Sequence, residues 1–321
     1  MASSSTRRRV TMILAAVLLS ASCSLGTGPI APGSLSAAGS LAGASFTVGS
    51  KEFTEQEILC HITSLALRSV GATVTEKCGL AGSNTARTAL TSGGIDLYWE
   101  YTGTAWISFL QHTRPITDPA EQYKAVAQED LAKNHLVWLD PAPFNSTYAL
   151  AVKSDTARSL GVRTISDYAR LVTTNPAAAS TCVASEFVSR DDGLPGLEKA
   201  YGFEIPHANT ATLNEEAIYH AVATANPCVV GEAIATDGRI EGLGLTLLED
   251  DKHFFPVYNP APVVPQSVSQ AHPQLAKVIH VLAAALDTKT IRELNEKVDI
   301  EGQDESMAAQ AWLEDKGFIG K

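Results

Sequence analysis

The chain has 321 residues, 45% of them hydrophobic and 18% charged, and a formal net charge of −11. That length is enough to bury a sizeable core across two modest domains. The acidic balance argues against nucleic acid, whose phosphates need a basic face, but leaves small-molecule ligands open, because a local site can oppose the overall sign.

The N-terminus reads as a targeting segment. Arg7, Arg8 and Arg9 form a positive n-region, and Val10 to Leu19 form an apolar h-region too short to span a bilayer. Ser20, Ala21 and Ser22 then lead to Cys23, as small residues lead to the lipidated cysteine of a bacterial lipoprotein, although Leu19 sits one place early for that pattern. A plain secretory peptide with an incidental Cys23 is the competing reading. The expectation is a signal peptide over 1–22 and a lipoprotein tether over 23–43. The stretch from Ser24 to Ser45 is rich in Gly, Ser, Ala and Pro and has no apolar period, which predicts flexibility. A lipid anchor there places the mature chain at the outer face of the cytoplasmic membrane. No later segment is long and apolar enough to cross one.

From Phe46 the chain alternates strands and helices. "FTVG" reads as a strand, and Thr54-Glu55-Gln56-Glu57 as a capping box that opens a helix ending at Gly71. "ATVTEKC" alternates like a strand, Ser83 is placed to cap the next helix, and "IDLYWEY" follows as a strand. Helices are expected over Pro119 to Asn134, Ile165 to Thr173, Pro195 to Tyr201 and Leu213 to Ala225. "LVWL", "YALAV", "TCVAS" and "CVVGEA" lie between them as strands. After Pro262 the pattern turns mostly helical, over Pro273 to Leu286, Thr288 to Val298 and Asp304 to Lys316. Repeated βα units predict parallel sheets covered by helices.

Export makes cysteine pairing legitimate. With Cys23 set aside, Cys60, Cys78, Cys182 and Cys228 remain, and four cysteines allow three pairings. Cys60 falls in a helix and Cys78 at the end of the next strand. Cys182 and Cys228 each open a short apolar run fit for neighbouring strands. The expected bridges are Cys60–Cys78 and Cys182–Cys228, against buried free thiols. No spacing suggests a metal.

Catalytic signals are scarce. There is no GxSxG, HExxH or Walker loop. Gly242-Leu243-Gly244 is only a fragment of a glycine-rich loop. Asp191-Asp192 and Glu249-Asp250-Asp251 read as surface charge runs rather than acid/base pairs. His112, His207 and His220 have no partner at triad or metal spacing. No cofactor or catalytic residue is assigned, and the pattern points to a binder.

Several stretches together carry a resemblance: "VGSKEFTEQEIL", "GSNTARTALTSGGIDLYWEYTGT", "STYALAV", "SEFVSRDDGLPGLEKAYGF", "ATDGRIEGLGLTLLEDDKHFFPVYNPAPVV" and "IRELNEKVD". From about Phe46 to the C-terminus the chain resembles the substrate-binding proteins of osmoprotectant ABC transporters, which bind glycine betaine, choline, carnitine and related quaternary amines. The resemblance implies an α/β two-domain periplasmic-binding-protein fold of type II, with a ligand cleft and two interdomain crossover segments. Domain 1 would be discontinuous, 44–143 and 260–321, and domain 2 would be 144–259. The implied partners are the small-molecule ligand, an ABC permease and its separate ATPase subunit. The protein would act as a monomer, with no nucleic acid and no catalysis of its own.

The resemblance also implies an aromatic cage, because a quaternary ammonium has no N–H to donate and is met by the negative faces of rings. Tyr101 of "EYTGT" matches one wall, Tyr148 a second and Tyr258 another, with Thr104 as a polar contact. Ile234 stands where the family often has a further tyrosine, which leaves one wall without a ring. Lys51 and Arg190 match cations that hold a betaine carboxylate in some members, with Glu186 orienting Arg190. Gln56 and Ser83 are weaker candidates at helix N-termini. Structural alternatives stand beside these. Tyr98 and Trp99 are rivals for the inward positions, Tyr148 and Tyr258 read as packed hinge residues, and Lys51 and Arg190 as solvated charges. Two functional alternatives remain: a neutral or aromatic ligand favoured by Ile234, and an exported enzyme or sensor domain on the same scaffold.

Overall fold

The structure, a computed structural model, describes residues 30–321. The n-region, the h-region and Cys23 lie outside the described residues. Residues 30–43 are described, and here the expectation of a flexible tether is corrected. Pro32 bridges Ile319, the Gly320 amide donates to the Ala31 carbonyl at 2.8 Å, and Leu35 is fully buried in a short 3-10 helix, Ser34–Ala38. The small residues allow a close seat against the C-terminal segment. A Cβ on Gly33 would lie 2.5 Å from the Phe318 carbonyl oxygen.

Among the described residues ten strands form three sheets. The first pairs β1 (Ser45–Lys51) with β2 (Thr73–Leu80) in parallel, joined by the helix Thr54–Ser69. In β2 half-buried and exposed residues alternate, as suits a strand with one face to solvent. The second sheet has β3 (Tyr98–Tyr101) and β4 (Leu136–Trp138) flanking β10 (Pro260–Pro265), both antiparallel. The third has five strands in the order β7-β6-β8-β5-β9: β5 (Tyr148–Lys153), β6 (Thr181–Val183), β7 (Thr210–Thr212), β8 (Val230–Ile234) and β9 (Leu245–Leu247). The expectation of parallel sheets therefore holds only for the first: the second is antiparallel and the third is mixed. β6 runs parallel to β7 and β8, while β5 is antiparallel to both β8 and β9.

Two lobes follow from this topology. In the first, the helix Thr54–Ser69 packs Ile58 and Ile62 against Val278, Leu282, Leu294 and Leu313 of the C-terminal helices. In the second, Leu150, Tyr168, Phe187, Leu197 and Val230 share a core. The chain crosses between lobes twice, and the two crossings lie side by side. The Ser146 amide donates to the Tyr258 carbonyl at 3.1 Å, and Asn259 Nδ2 donates to the Phe144 carbonyl at 2.6 Å. Among the described residues two disulfides, Cys60–Cys78 and Cys182–Cys228, join the expected partners, one in each lobe.

Two expected caps are corrected. The first helix begins at Thr54 itself, with Phe53 as its N-cap, so Thr54 is one place too late to cap. Its hydroxyl donates instead to Asp299 Oδ1 at 2.7 Å. The next helix starts at Gly82, and Ser83 falls inside it. No helix among the described residues is long and apolar enough to cross a membrane.

Candidate functional site

A cavity of about 430 Å³ opens between the lobes, within the roughly 300–1,000 Å³ usual for small-molecule sites. Of the ten residues expected at the ligand, nine line it: Lys51, Ser83, Tyr101, Thr104, Tyr148, Glu186, Arg190, Ile234 and Tyr258. Gln56 does not. It is fully buried behind the wall, where its Nε2 donates to the Trp99 carbonyl at 3.0 Å and its Oε1 accepts from the Lys51 amide at 3.3 Å. Tyr98 and Trp99, the rivals of Tyr101, are core residues, each no more than 1% exposed. Strand alternation separates Tyr98 from Trp99 and leaves Tyr101, at the strand's end, against the cavity.

Tyr101 stacks against Phe53, with centroids 6.1 Å apart and planes at 23°. Its hydroxyl donates to Glu55 Oε1 at 2.7 Å. Glu55 is a buried carboxylate that also accepts from the Thr236 hydroxyl, across from the second lobe. Burial raises its pKa, against the hydrogen bonds from Thr236 and Tyr101. Tyr148 opens β5 and Ile234 closes β8, and the two are register partners, so they stand side by side on one wall. Tyr258 meets Tyr148 edge-on at 5.4 Å and 83°. Its ring lies against bare backbone, since a Cβ on Gly103 would come within 2.6 Å of Tyr258 Cδ1. The glycine of "EYTGT" thus makes room for the ring. Burial pushes all three tyrosine hydroxyls well above their ordinary range, so all are neutral near pH 7.

The two cations are already engaged. Lys51 Nζ lies 2.7 Å from Glu100 Oε1, with both side chains buried, and 5.0 Å from the Tyr101 ring centroid. Glu100 also accepts from the Tyr98 hydroxyl at 2.7 Å. Arg190 gives Nε to Asp192 Oδ1 and Nη1 to Glu186 Oε1, both at 2.7 Å, and its Nη2 reaches Thr104 Oγ1 at 3.4 Å. Its guanidinium carbon sits 5.5 Å from the Tyr148 centroid. Asp192 accepts in turn from the Tyr258 hydroxyl at 2.7 Å. Asp192 was expected as surface charge. It is 3% exposed, because it neutralises a buried guanidinium. Glu186 Oε2 accepts from the Ser83 amide at 3.3 Å, a contact from one lobe to the other. Burial opposes the charge on Glu186, but Lys51 and Arg190 outweigh it and hold its carboxyl below the usual range.

Sequence reading missed Phe53, Glu215 and Glu232 at the cavity. The signal for Glu232 was a lone carboxylate inside the apolar run "CVVGEA". It is 2% exposed, its Oε2 accepts from the Ala184 amide at 2.7 Å, and burial lifts its pKa to about 8.

Two neutral rings, a third at the lobe junction and this cluster of buried charge describe a ligand-sized cleft between two lobes, which is the architecture of a solute-binding protein. Residues 44–315 match OpuAC, the substrate binding domain of ABC-type glycine betaine transport systems, and the chain belongs to that family. It is 38% identical over 290 residues to a glycine-betaine-binding protein of Pseudomonas aeruginosa, covering 89% of this chain and 92% of that one. It is 35% identical over 276 residues to the glycine betaine-binding protein YehZ of Escherichia coli, covering 84% of this chain and 90% of the relative. The solved structure of apo YehZ superposes with a TM-score of 0.64 at 34% identity, over 86% of this chain and all of that one. Proteins of this family bind solutes for ABC importers outside the cytoplasm.

Proposed function

We propose that the chain captures a quaternary-amine osmoprotectant, of the glycine betaine, choline or carnitine kind, in this cavity and hands it to an ABC permease. The observation that carries this reading is the convergence of Tyr101, Tyr148 and Tyr258, from three separate segments, on one cavity. Their faces suit an ammonium whose positive charge is spread over methyl groups. Ile234 supplies contact area to the remaining wall without a quadrupole. The lobes that close on the ligand are 44–143 with 260–321, and 144–259, and the paired crossings between them form the hinge.

The same reading makes the protein a monomeric lipoprotein, anchored through Cys23 to the outer face of the cytoplasmic membrane. Cys23→Ala should release the protein or leave it unprocessed, and unchanged mass and membrane association would refute the anchor. The cage is tested by calorimetry on Tyr101→Ala and Tyr148→Ala. Each should cost about 2 kcal/mol of cation–π attraction, or roughly thirtyfold in affinity. Binding at wild-type strength in both variants, with the fold intact by circular dichroism, would reduce these tyrosines to core residues.

A further inference from the structure

The charge around the cavity is lopsided. Two cations line it, Lys51 and Arg190, against five carboxylates: Glu52, Glu186, Glu215, Glu216 and Glu232. Both cations are held by carboxylates of their own, Glu100 and Asp192. By contrast Glu232, on β8, spends one oxygen on the Ala184 amide, and its other oxygen has no hydrogen-bond partner among the described residues. It is almost wholly buried and lines the cavity. Strand alternation puts it on the same face as Ile234, two residues along, beside the wall formed with Tyr148. Glu215, the first residue of the helix Glu215–Thr224, lines the cavity too, and it makes no hydrogen bond or ion pair among the described residues.

The free oxygen is not sealed in the core but open to the cavity, where an incoming donor can reach it. The partner that fits is a donor hydrogen on a positively charged ligand. A ligand carboxylate would instead meet excess negative charge and find neither cation free. We propose that Glu232, with Glu215 beside it, is a second recognition point of the cavity, accepting a hydrogen bond from an O–H or N–H donor on a small organic cation and selecting such cations over zwitterions that end in a carboxylate. This rests on the quaternary-ammonium reading above and narrows it.

The groups facing Glu232 are Glu186 and Arg190 at the helix Ser185–Ser189 and its end, Glu215, and Tyr148 on β5. In the empty cavity burial keeps Glu232 mostly protonated at neutral pH. A cation placed beside it favours the ionised form, so binding should release a proton near pH 7 and tighten as pH rises from about 6 to 8.

The test is calorimetric titration of the purified protein with choline, tetramethylammonium and glycine betaine, in two buffers of different ionisation enthalpy. Choline carries a cation and a hydroxyl, tetramethylammonium only the cation, and glycine betaine a carboxylate. The expected order is choline tightest, at least tenfold over glycine betaine, with proton release. Glu232→Gln preserves an acceptor for the Ala184 amide and should weaken choline about tenfold and abolish the release. Four results overturn the proposal: glycine betaine binding as tightly as choline, choline no tighter than tetramethylammonium, choline unaffected by Glu232→Gln, or proton uptake on binding. If none of the three ligands binds the folded wild-type protein, the quaternary-ammonium reading itself fails, and the recognition point falls with it.

Discussion

The cavity is built from two similar clamps, one in each lobe, and they differ in one respect. In the first lobe Lys51 sits over the Tyr101 ring, is neutralised by Glu100, and Glu100 accepts from the Tyr98 hydroxyl. In the second, Arg190 sits over Tyr148, is neutralised by Asp192, and Asp192 accepts from the Tyr258 hydroxyl. Each is a cation held over a ring by a buried acid that a tyrosine backs. Lys51 makes its ion pair within its own lobe, with Glu100 on a neighbouring strand, and acts on Glu186 only through its charge at longer range. Arg190 has a second acid in Glu186, and it reaches across to Thr104 while Glu186 reaches across to Ser83. The first clamp is framework, and the second is framework and latch at once. Guanidinium chemistry explains the division: a planar fork serves several acceptors in different directions, where an ammonium is a point charge.

The comparison is broken most sharply by removing the acids. Glu100→Ala leaves Lys51 buried without a counter-charge and should destabilise the fold by about 3–5 kcal/mol, read as a lower midpoint in urea. Little change there would mean that Lys51 escapes to solvent and that the first clamp is not framework.

The unclamped acid, Glu232, sharpens the contrast through pH. Its folded pKa of about 8 lies above the ordinary glutamate value, so near neutrality the unfolded chain binds fewer protons than the folded one. Stability from this group is therefore fully present below about pH 4.5 and is lost as pH rises towards 8. The loss should be about 1.4 kcal/mol per pH unit inside that window, or on the order of 3 kcal/mol between pH 5 and 7. Denaturation of the ligand-free protein across that range should slope downward, and Glu232→Gln should flatten it. An identical slope in the variant would assign the effect elsewhere, with Asp299 the next group to examine, since burial and Asp237 lift its pKa to about 6.

The smallest effect is expected at the second acid. Asp192→Ala leaves Arg190 with Glu186 and should cost about 1–3 kcal/mol of stability, less than Glu100→Ala. Because it frees the guanidinium and the Tyr258 hydroxyl together, ligand affinity should fall as well, as calorimetry would detect. A stability loss equal to that of Glu100→Ala would erase the distinction between framework and latch.

Local patterns made much of this legible. Pro119–Asn134 begins and ends where the sequence placed it, because Asp118 caps it, Pro119 suits its first turn and His135 closes it in the left-handed conformation. The three cavity tyrosines stood out because each sits in a short stretch with a family resemblance. What the sequence hid is long-range. Asp192 looked like surface because its guanidinium is the cause of its burial, and nothing local marks that. The strand β10 was invisible because Pro260, Pro262 and Pro265 argue against a central strand. It pairs with β3 and β4 all the same, and past the end of β4 the carbonyls of Pro262 and Pro260 accept from the Leu139 and Ala142 amides at 2.9 Å. Thr54 misled as a cap because its real partner, Asp299, is 245 residues away.

The Cys182–Cys228 bridge ties β6 to the residues that lead into β8. Continuing from those strands, one supplies Ala184, Glu186 and Arg190, and the other supplies Glu232 and Ile234. The bridge therefore reinforces the β6–β8 part of the second lobe's wall, which the sheet already pairs. Such a bond forms in an oxidising compartment and not in a reducing one. Before the bridge forms, hydrogen bonds alone join these two strands, through Thr181 with Val230 and Cys182 with Gly231, so oxidation adds a covalent lock to a pairing that the sheet already makes.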